Sequence, residues 1–372
     1  MADSRLFKPL KIGKIEVKHR MGMASLTRMR ATEDRIPTPM MKEYYTQRAS
    51  VPGTLILSEG TFVSAKCGGF PWAPGIWSQE QIEAWHPITE AVHAKGSYIY
   101  CQIFAMGRAA DAATAAKENI PILAPSAIPI DDNSPVPQAM TTDEIKQMVQ
   151  DFATAARNAI AAGFDGVEIH GANGYLIDQF IQDVSNQRTD EYGGSVENRS
   201  RFLDEIMHVV VDAIGADQVG LRFSPWSRFQ GMKMSDPIPQ FSDIIAKAAK
   251  MDLAYLNLIE SRISGAVDDP DYKGESLEFA YKLWKGPLLI AGGYRAEEAR
   301  RLVDLTHPDR DIVVMFGRFF ISNPDLVYRI KEGLDLSAYN RSTFYIPGSA
   351  VGYLDCPYSK EYLAASVQAQ TL

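Results

Sequence analysis

Eight short apolar runs, each followed by a segment long enough for a helix, restrict the fold of this chain more than any other feature. The runs are 21–24, 54–58 (TLILS), 98–103 (YIYCQI), 166–170 (GVEIH), 219–224 (VGLRFS), 254–259 (AYLNLI), 288–291 (LLIA) and 312–316 (IVVMF). Helix-like patterns lie at 78–95, 142–162, 196–214, 240–251, 275–284, 296–305 and 324–332. Ser78 stands three residues before Gln81, the spacing of a capping box, and Thr142 is followed by Asp143 and Glu144, which suit the positive end of a helix dipole. Gly163 and Gly215 stand where helices end. Strands that alternate with helices pair in parallel. Eight such units in 372 residues predict a (β/α)8 TIM barrel, with 1–372 as a single domain. A doubly wound sheet would need a glycine-rich turn after its first strand, and Ala24-Ser25-Leu26-Thr27-Arg28 is not one.

Three segments depart from a minimal barrel. Residues 10–17 (LKIGKIEV) read as a small N-terminal hairpin placed across the barrel's bottom. Residues 104–139 form an excursion after the third strand, too long for an ordinary loop and expected to be functional. Residues 335–372 form an aromatic-rich tail expected to pack on the barrel.

Composition narrows the class. Apolar residues make up 46% and charged residues 23%, so the chain is neither disordered nor of low complexity. A net charge of −8 weighs against a nucleic-acid partner, although one small phosphate needs only local chemistry. Cys67, Cys101 and Cys356 contain no CxxC pair, which argues against a disulfide framework or a structural zinc. The start, Met1-Ala2-Asp3-Ser4-Arg5-Leu6-Phe7, has no apolar signal region, and the end, Gln370-Thr371-Leu372, matches no lipidation motif. No apolar run approaches the length of a membrane span. A cytoplasmic protein with no membrane partner is the expectation.

In a barrel of this kind chemistry sits at the C-terminal strand ends. Here those ends carry Thr27, Glu59-Gly60, Gln102, His170, Arg222, Gly292-Gly293 and Gly317-Arg318. His170 is followed by Asn173 and Tyr175. Histidine and asparagine can both donate to one carbonyl oxygen and so favour negative charge there, while tyrosine can give a proton to a carbanion. The ordinary alternative is a histidine satisfied by local hydrogen bonds, and the alignment of so many polar strand ends weighs against it. Arg222, inside an apolar strand, requires an anion or dense acceptors; an internal ion pair with Glu59 or Glu168 competes. Gln102 has a donor and an acceptor side suited to an amide-like ring edge, and taken alone reads as well as a plain barrel residue. Gly292-Gly293 and Gly317-Arg318 follow the last two strands, where barrels bind phosphate. No HxH or HExxH pair points to a zinc hydrolase, and no lysine ends a strand as a Schiff-base aldolase needs. A glycosidase built on Glu59 with Glu168 or Glu260 would leave the glycines and Arg318 unexplained.

Longer motifs then make the sequence recognisable. They are Leu26-Thr27-Arg28-Met29-Arg30, Glu43-Tyr44-Tyr45-Thr46-Gln47-Arg48-Ala49, Gly166-Val167-Glu168-Ile169-His170, Ala172-Asn173-Gly174-Tyr175-Leu176, Thr189-Asp190-Glu191-Tyr192-Gly193-Gly194-Ser195, and the stretch from Gly317-Arg318-Phe319-Phe320 to Asp325-Leu326. In this order, from about Leu6 to Tyr362, the chain resembles the Old Yellow Enzyme family of FMN-dependent ene-reductases, most of all its fungal branch with ergot-alkaloid pathway members. The resemblance implies non-covalent FMN. Thr27 and Gln102 would meet its ring, Ser25 and Gly60 would contact it through the backbone, and Arg222 would stabilise the reduced ring's charge. Gly292, Gly293, Gly317 and Arg318 would hold the phosphate. His170 and Asn173 would bind the substrate's carbonyl or nitro oxygen, Tyr175 would give the proton, and Tyr353 and Phe104 would wall the substrate.

The implied reaction has two halves: NADPH reduces FMN, and hydride then passes to the β-carbon of an α,β-unsaturated carbonyl or nitro compound. Activated alkenes are the implied small-molecule partners, and the oligomeric expectation is a monomer or homodimer. The alternative is a flavin-dependent isomerase or reductase of a fungal secondary-metabolite pathway; in isomerases of this kind the tyrosine is replaced. A flavin-binding protein without turnover and a flavin-free sugar-phosphate barrel are the readings from other classes. Phe104 stands where many relatives carry tryptophan, Ser25 where proline is frequent, and Gly293 where some have asparagine. Phe70 and Trp72 belong to a loop within reach of the substrate.

Overall fold

The computed structural model describes residues 3–265 and 267–370. Met1-Ala2 and Thr371-Leu372, the outer parts of the two ends read above for leader and lipidation signals, lie outside them. Eight strands form a closed parallel ring: β1 (Met21–Met23), β2 (Leu55–Leu57), β3 (Tyr98–Phe104), β4 (Gly166–Gly171), β5 (Val219–Phe223), β6 (Tyr255–Ile259), β7 (Leu288–Ala291) and β8 (Ile312–Phe316). Each pairs with its neighbour in sequence, and β8 pairs with β1 to close the circle. The (β/α)8 barrel is therefore present.

One outer helix follows each strand: α1 (Pro39–Arg48), α2 (Gln79–His93), α3 (Thr142–Ala161), α4 (Val196–Ile214), α5 (Pro237–Ala249), α6 (Glu278–Leu283), α7 (Ala296–Arg301) and α8 (Leu326–Glu332). Ser78 and Gln81 form the capping box of α2. α3 starts at Thr142 as read, and it carries a capping box of its own, Thr141 with Glu144, because Thr141 keeps the extended backbone an N-cap requires. α1 is the helix that apolar periodicity does not announce. Its buried positions are Met41, Tyr44, Tyr45 and Arg48, a face mostly of polar-tipped side chains.

The hairpin at Leu10–Ile12 and Ile15–Val17 closes one end of the barrel. Its Leu10, Ile12, Ile15 and Val17 join Leu55, Leu57, Tyr100, Tyr255, Leu289, Val313 and Met315 in one apolar cluster. Gly220 makes room for this floor, since a Cβ there would fall 2.1 Å from the Tyr255 ring. With the floor packed, only the C-terminal strand ends remain open to a ligand. The excursion after β3 carries a helix at Ala112–Glu118 and a two-stranded parallel pair, Leu123–Ala124 with Gln138–Ala139. No helix of the described residues is long and apolar enough to cross a membrane.

Two buried arginines gather the tail. Arg28 donates from Nε to the Phe344 carbonyl (3.1 Å) and from Nη2 to that of Gly352 (2.6 Å). Arg30 reaches the carbonyls of Thr343, Phe344, Ser349 and Val351. Tyr353 is locked between them. Its ring stacks on Tyr44 at 4.0 Å, with the Arg30 guanidinium 4.8 Å from its centre. The expectation that Tyr353 walls the substrate is thereby corrected: it is fully buried, drawn inward by Tyr44 and two cations.

Glu59, beside this cluster, accepts the Arg28 backbone N–H at 3.3 Å on Oε2, and its Oε1 has no partner. Burial pushes its carboxyl up to about 7, against the pull of Arg28 and Arg30. The folded chain thus keeps a proton that the unfolded chain releases near the ordinary carboxyl value of 4.5, so this group weakens folding as pH rises from 4.5 to about 7. Glu59→Gln is expected to remove that dependence and to gain about 2–3 kcal/mol at pH 8 relative to the parent. Urea midpoints at pH 4.5 and 8 check this; parallel shifts at both values would contradict it.

Candidate functional site

The open end holds a cavity of about 790 Å³. Parallel register explains what lines it. Gln102 on β3 lies beside Glu168 on β4, and Arg222 on β5 lies between His170 on β4 and Asn257 on β6. Side chains two apart on a strand share a face, so Glu168 sits one layer below His170. The cavity is lined by Ser25, Thr27, Gly60, Gln102, Arg222, Gly292, Gly293, Gly317 and Arg318, and also by His170, Asn173, Tyr175 and Phe104. All the site residues singled out from the sequence therefore converge except Tyr353. In its place the tail contributes Phe344 and Tyr345, nine and eight residues earlier. The signal available for them was the aromatic pair before the Pro347-Gly348 break. Of the loop residues, Phe70 lines the cavity, while Trp72 turns toward Gly348.

Beneath the cavity runs a polar chain. Ser25 Oγ donates to Gln102 Oε1 (2.6 Å), Gln102 Nε2 to Glu168 Oε1 (2.7 Å), and Asn257 Nδ2 to Glu168 Oε2 (2.7 Å). Arg222 Nη1 lies 4.0 Å from Glu168 Oε1. The ion pair set against a ligand role for Arg222 thus exists, yet Arg222 also borders the cavity. Burial holds the Glu168 carboxyl above the usual carboxylate range, opposed by Arg222 and two amide donors. Glu168 and Glu59 do not border the cavity, so the carboxylate pair of a glycosidase is missing from it.

His170 is buried, and its Nδ1 has no partner within the protein. Burial, and then the Arg222 charge, push it well below the ordinary histidine range. The ring is neutral at pH 7 and holds one N–H donor. Asn173 takes a left-handed backbone (φ 59°) that asparagine tolerates, with its amide N–H donating to Ser224 Oγ (2.8 Å). The Tyr175 ring lies 5.2 Å from both the His170 and Phe104 rings, and burial, then Tyr345, push its hydroxyl up to about 12.

These residues fit FMN on their own evidence. Arg222 Nε is buried without a partner, a strong donor awaiting an acceptor. Gly317 leaves open space: a Cβ there would meet only Leu26, at 3.4 Å. Arg318 stands beside Gly293, whose backbone is left-handed (φ 67°), and Arg318 Nη2 meets Asp268 Oδ1 at 3.0 Å. That carboxylate is largely exposed, so the guanidinium is open to exchange for a phosphate.

Barrel, glycine-lined cleft and paired donors suit an FMN-binding oxidoreductase. The profile of the NADH:flavin oxidoreductase / NADH oxidase family matches residues 5–337. Chanoclavine-I aldehyde reductase fgaOx3 of Penicillium roqueforti is 49% identical, covering 97% of this chain and 98% of that protein. The probable inactive reductase easA of Epichloe festucae var. lolii is 48% identical over the whole of both chains. The crystal structure of Old Yellow Enzyme from Pichia sp. AKU4542 superposes with a TM-score of 0.89 at 40% identity, covering 96% of this chain and 95% of that one. The chain belongs to this flavin oxidoreductase family as an Old Yellow Enzyme.

Proposed function

We propose that the protein is an NADPH-dependent ene-reductase that reduces the C=C bond of an α,β-unsaturated carbonyl or nitro compound. The observation that carries the reading is the meeting of a neutral His170, Asn173 and a protonated Tyr175 on one cavity. When bound, FMN supplies the hydride chemistry, with NADPH as its reductant. Thr27, Gln102 and Arg222 would hold the ring, and Gln102 keeps one free hydrogen-bonding valence at each end for it. Gly292, Gly293, Gly317 and Arg318 would hold the phosphate, with Ser25 and Gly60 at the ring through their backbone. His170 and Asn173 donate to the substrate oxygen and so make the β-carbon electrophilic. Tyr175 holds the proton for the α-carbon. Its high pKa keeps it loaded throughout the neutral range, and the electron-rich carbon it meets is basic enough to take it. Phe104, Phe344 and Tyr345 would wall the substrate. Relatives named as aldehyde reductases agree with a carbonyl on the donor pair, and they favour a fungal secondary metabolite as substrate.

The test is optical. The purified protein is expected to show a flavin band that anaerobic NADPH bleaches and that cyclohex-2-enone restores, with cyclohexanone as product. A band that bleaches but is not restored by any activated alkene would sink the ene-reductase reading; a protein that takes up no FMN would sink the cofactor with it. Asp268→Asn is expected to tighten FMN binding by about 2–5-fold, because the competing charge on Arg318 is worth under ~1 kcal/mol. Fluorescence quenching of FMN titrated into flavin-free protein measures it, and weaker binding would refute the competition.

A further inference from the structure

Asp178 is a fully buried carboxylate that the proposed reaction does not use. It belongs to the short helix Leu176–Ile181, which begins directly after Tyr175. Between the oxygen donor Asn173 and the proton donor Tyr175 the chain turns a tight corner, in which Asn173 (φ 59°) and Gly174 (φ 72°) are both left-handed. Asp178 Oδ2 accepts the Gly174 N–H at 2.8 Å. Its Oδ1 accepts from Gln182 Nε2 at 2.7 Å, and Gln182 Oε1 takes the N–H groups of Lys233 and Met234, each at 3.0 Å. The other side of the corner is tied as well, since the Gly174 carbonyl accepts from Gln179 Nε2 at 2.7 Å. The corner is thus braced to the loop after β5. No solvent is needed to satisfy the brace, and no ligand is within it.

We propose that Asp178 is a positioning residue: its carboxylate pins the Asn173–Gly174 corner and so fixes the side of the substrate that Tyr175 protonates. The inference rests on the ene-reductase reading. Its charge is not the essential part. What the corner needs is an acceptor for Gly174 and a complementary partner for Gln182. Asp178→Asn supplies one acceptor and one donor, so it sets an amide N–H against either Gly174 or Gln182. Adding Gln182→Glu reverses that polarity: the new amide donates to the new carboxylate, whose other oxygen still accepts from Lys233 and Met234.

The experiment compares parent, Asp178→Asn and the double swap, all loaded with FMN. Three quantities are read: hydrogen exchange at the Gly174 amide, kcat, and the enantiomeric composition of 2-methylcyclohexanone formed from 2-methylcyclohex-2-enone. Asp178→Asn is expected to speed Gly174 exchange by about tenfold or more, to lower kcat by about 10²-fold and to erode the configuration at the α-carbon. The swap is expected to restore all three. A folded single variant with parental exchange, rate and configuration would overturn the proposal. If the single variant does not fold, the swap still decides, because a folded swap that scrambles the α-carbon overturns it too. A parent that never reduces the alkene would instead refute the ene-reductase reading, while the Gly174 exchange rates would still report on the brace.

Discussion

Replacing Tyr175 with phenylalanine is expected to lower enone turnover by about 10²–10⁴-fold, the usual worth of a positioned general acid, and to leave bleaching by NADPH unchanged. The change removes one oxygen and keeps the ring. Packing edge-on to Phe104 and beside His170, each at 5.2 Å, holds that ring in place without the hydroxyl. The loss should fall on kcat rather than KM, because the proton moves only as the carbanion forms. The parent also makes a claim about pH. With the hydroxyl held near 12, no loss of activity below about pH 10 should trace to Tyr175. Stopped-flow reoxidation of the reduced protein by the enone measures both. Unchanged reoxidation in the variant would remove Tyr175 from the chemistry.

A second large loss is expected when the substrate-oxygen donors go. His170→Ala with Asn173→Gly should cost about 10³-fold or more in kcat/KM, since one donor to a developing oxyanion is worth about 10²–10³ and two that share an oxygen do not add fully. Glycine is chosen at 173 because alanine would add the strain of a left-handed backbone to the loss of the amide. Each single variant shows how the load divides. On the proposed reading the neutral His170 would act by donating a hydrogen bond and not by giving up a proton. Consequently the rate should not fall between about pH 6 and 8 through titration of His170, whose range lies well below that. A sigmoidal loss centred near 6.5 would contradict the buried neutral ring.

Why was so much of this site readable from residues alone? Strands buried on both faces should be apolar, so Arg222, Gln102 and His170 stood out as intrusions whose cost needs a use. Their register made them neighbours, and that followed from the parallel order. Glu168 was harder. Alternation puts it on the face of His170, but only the closed ring shows its partners one layer below, where it bridges Gln102 and Asn257. α1 escaped because tyrosine and arginine fill the buried positions where leucine would have drawn the eye. Tyr353 was misplaced for a related reason. The tail lies beyond the strand–helix repeat, so no periodicity indicates which aromatic faces inward. Arg28 and Arg30 decided it by binding the tail's carbonyls and drawing Tyr353 under them.

That clamp also bears on how such a scaffold can diversify. Thr27, which lines the cavity, and Arg28 and Arg30, which hold the tail segment that carries Phe344 and Tyr345, are neighbours on one loop. That stretch of the lining and the tail are therefore mechanically one piece. Loop exchange or shortening in the tail would pull acceptors from two buried guanidiniums and disturb the lining at Thr27 along with that at Phe344 and Tyr345. New substrate scope should come more readily by changing the side chains at 344 and 345, whose backbone the clamp leaves in register, than by grafting a different segment.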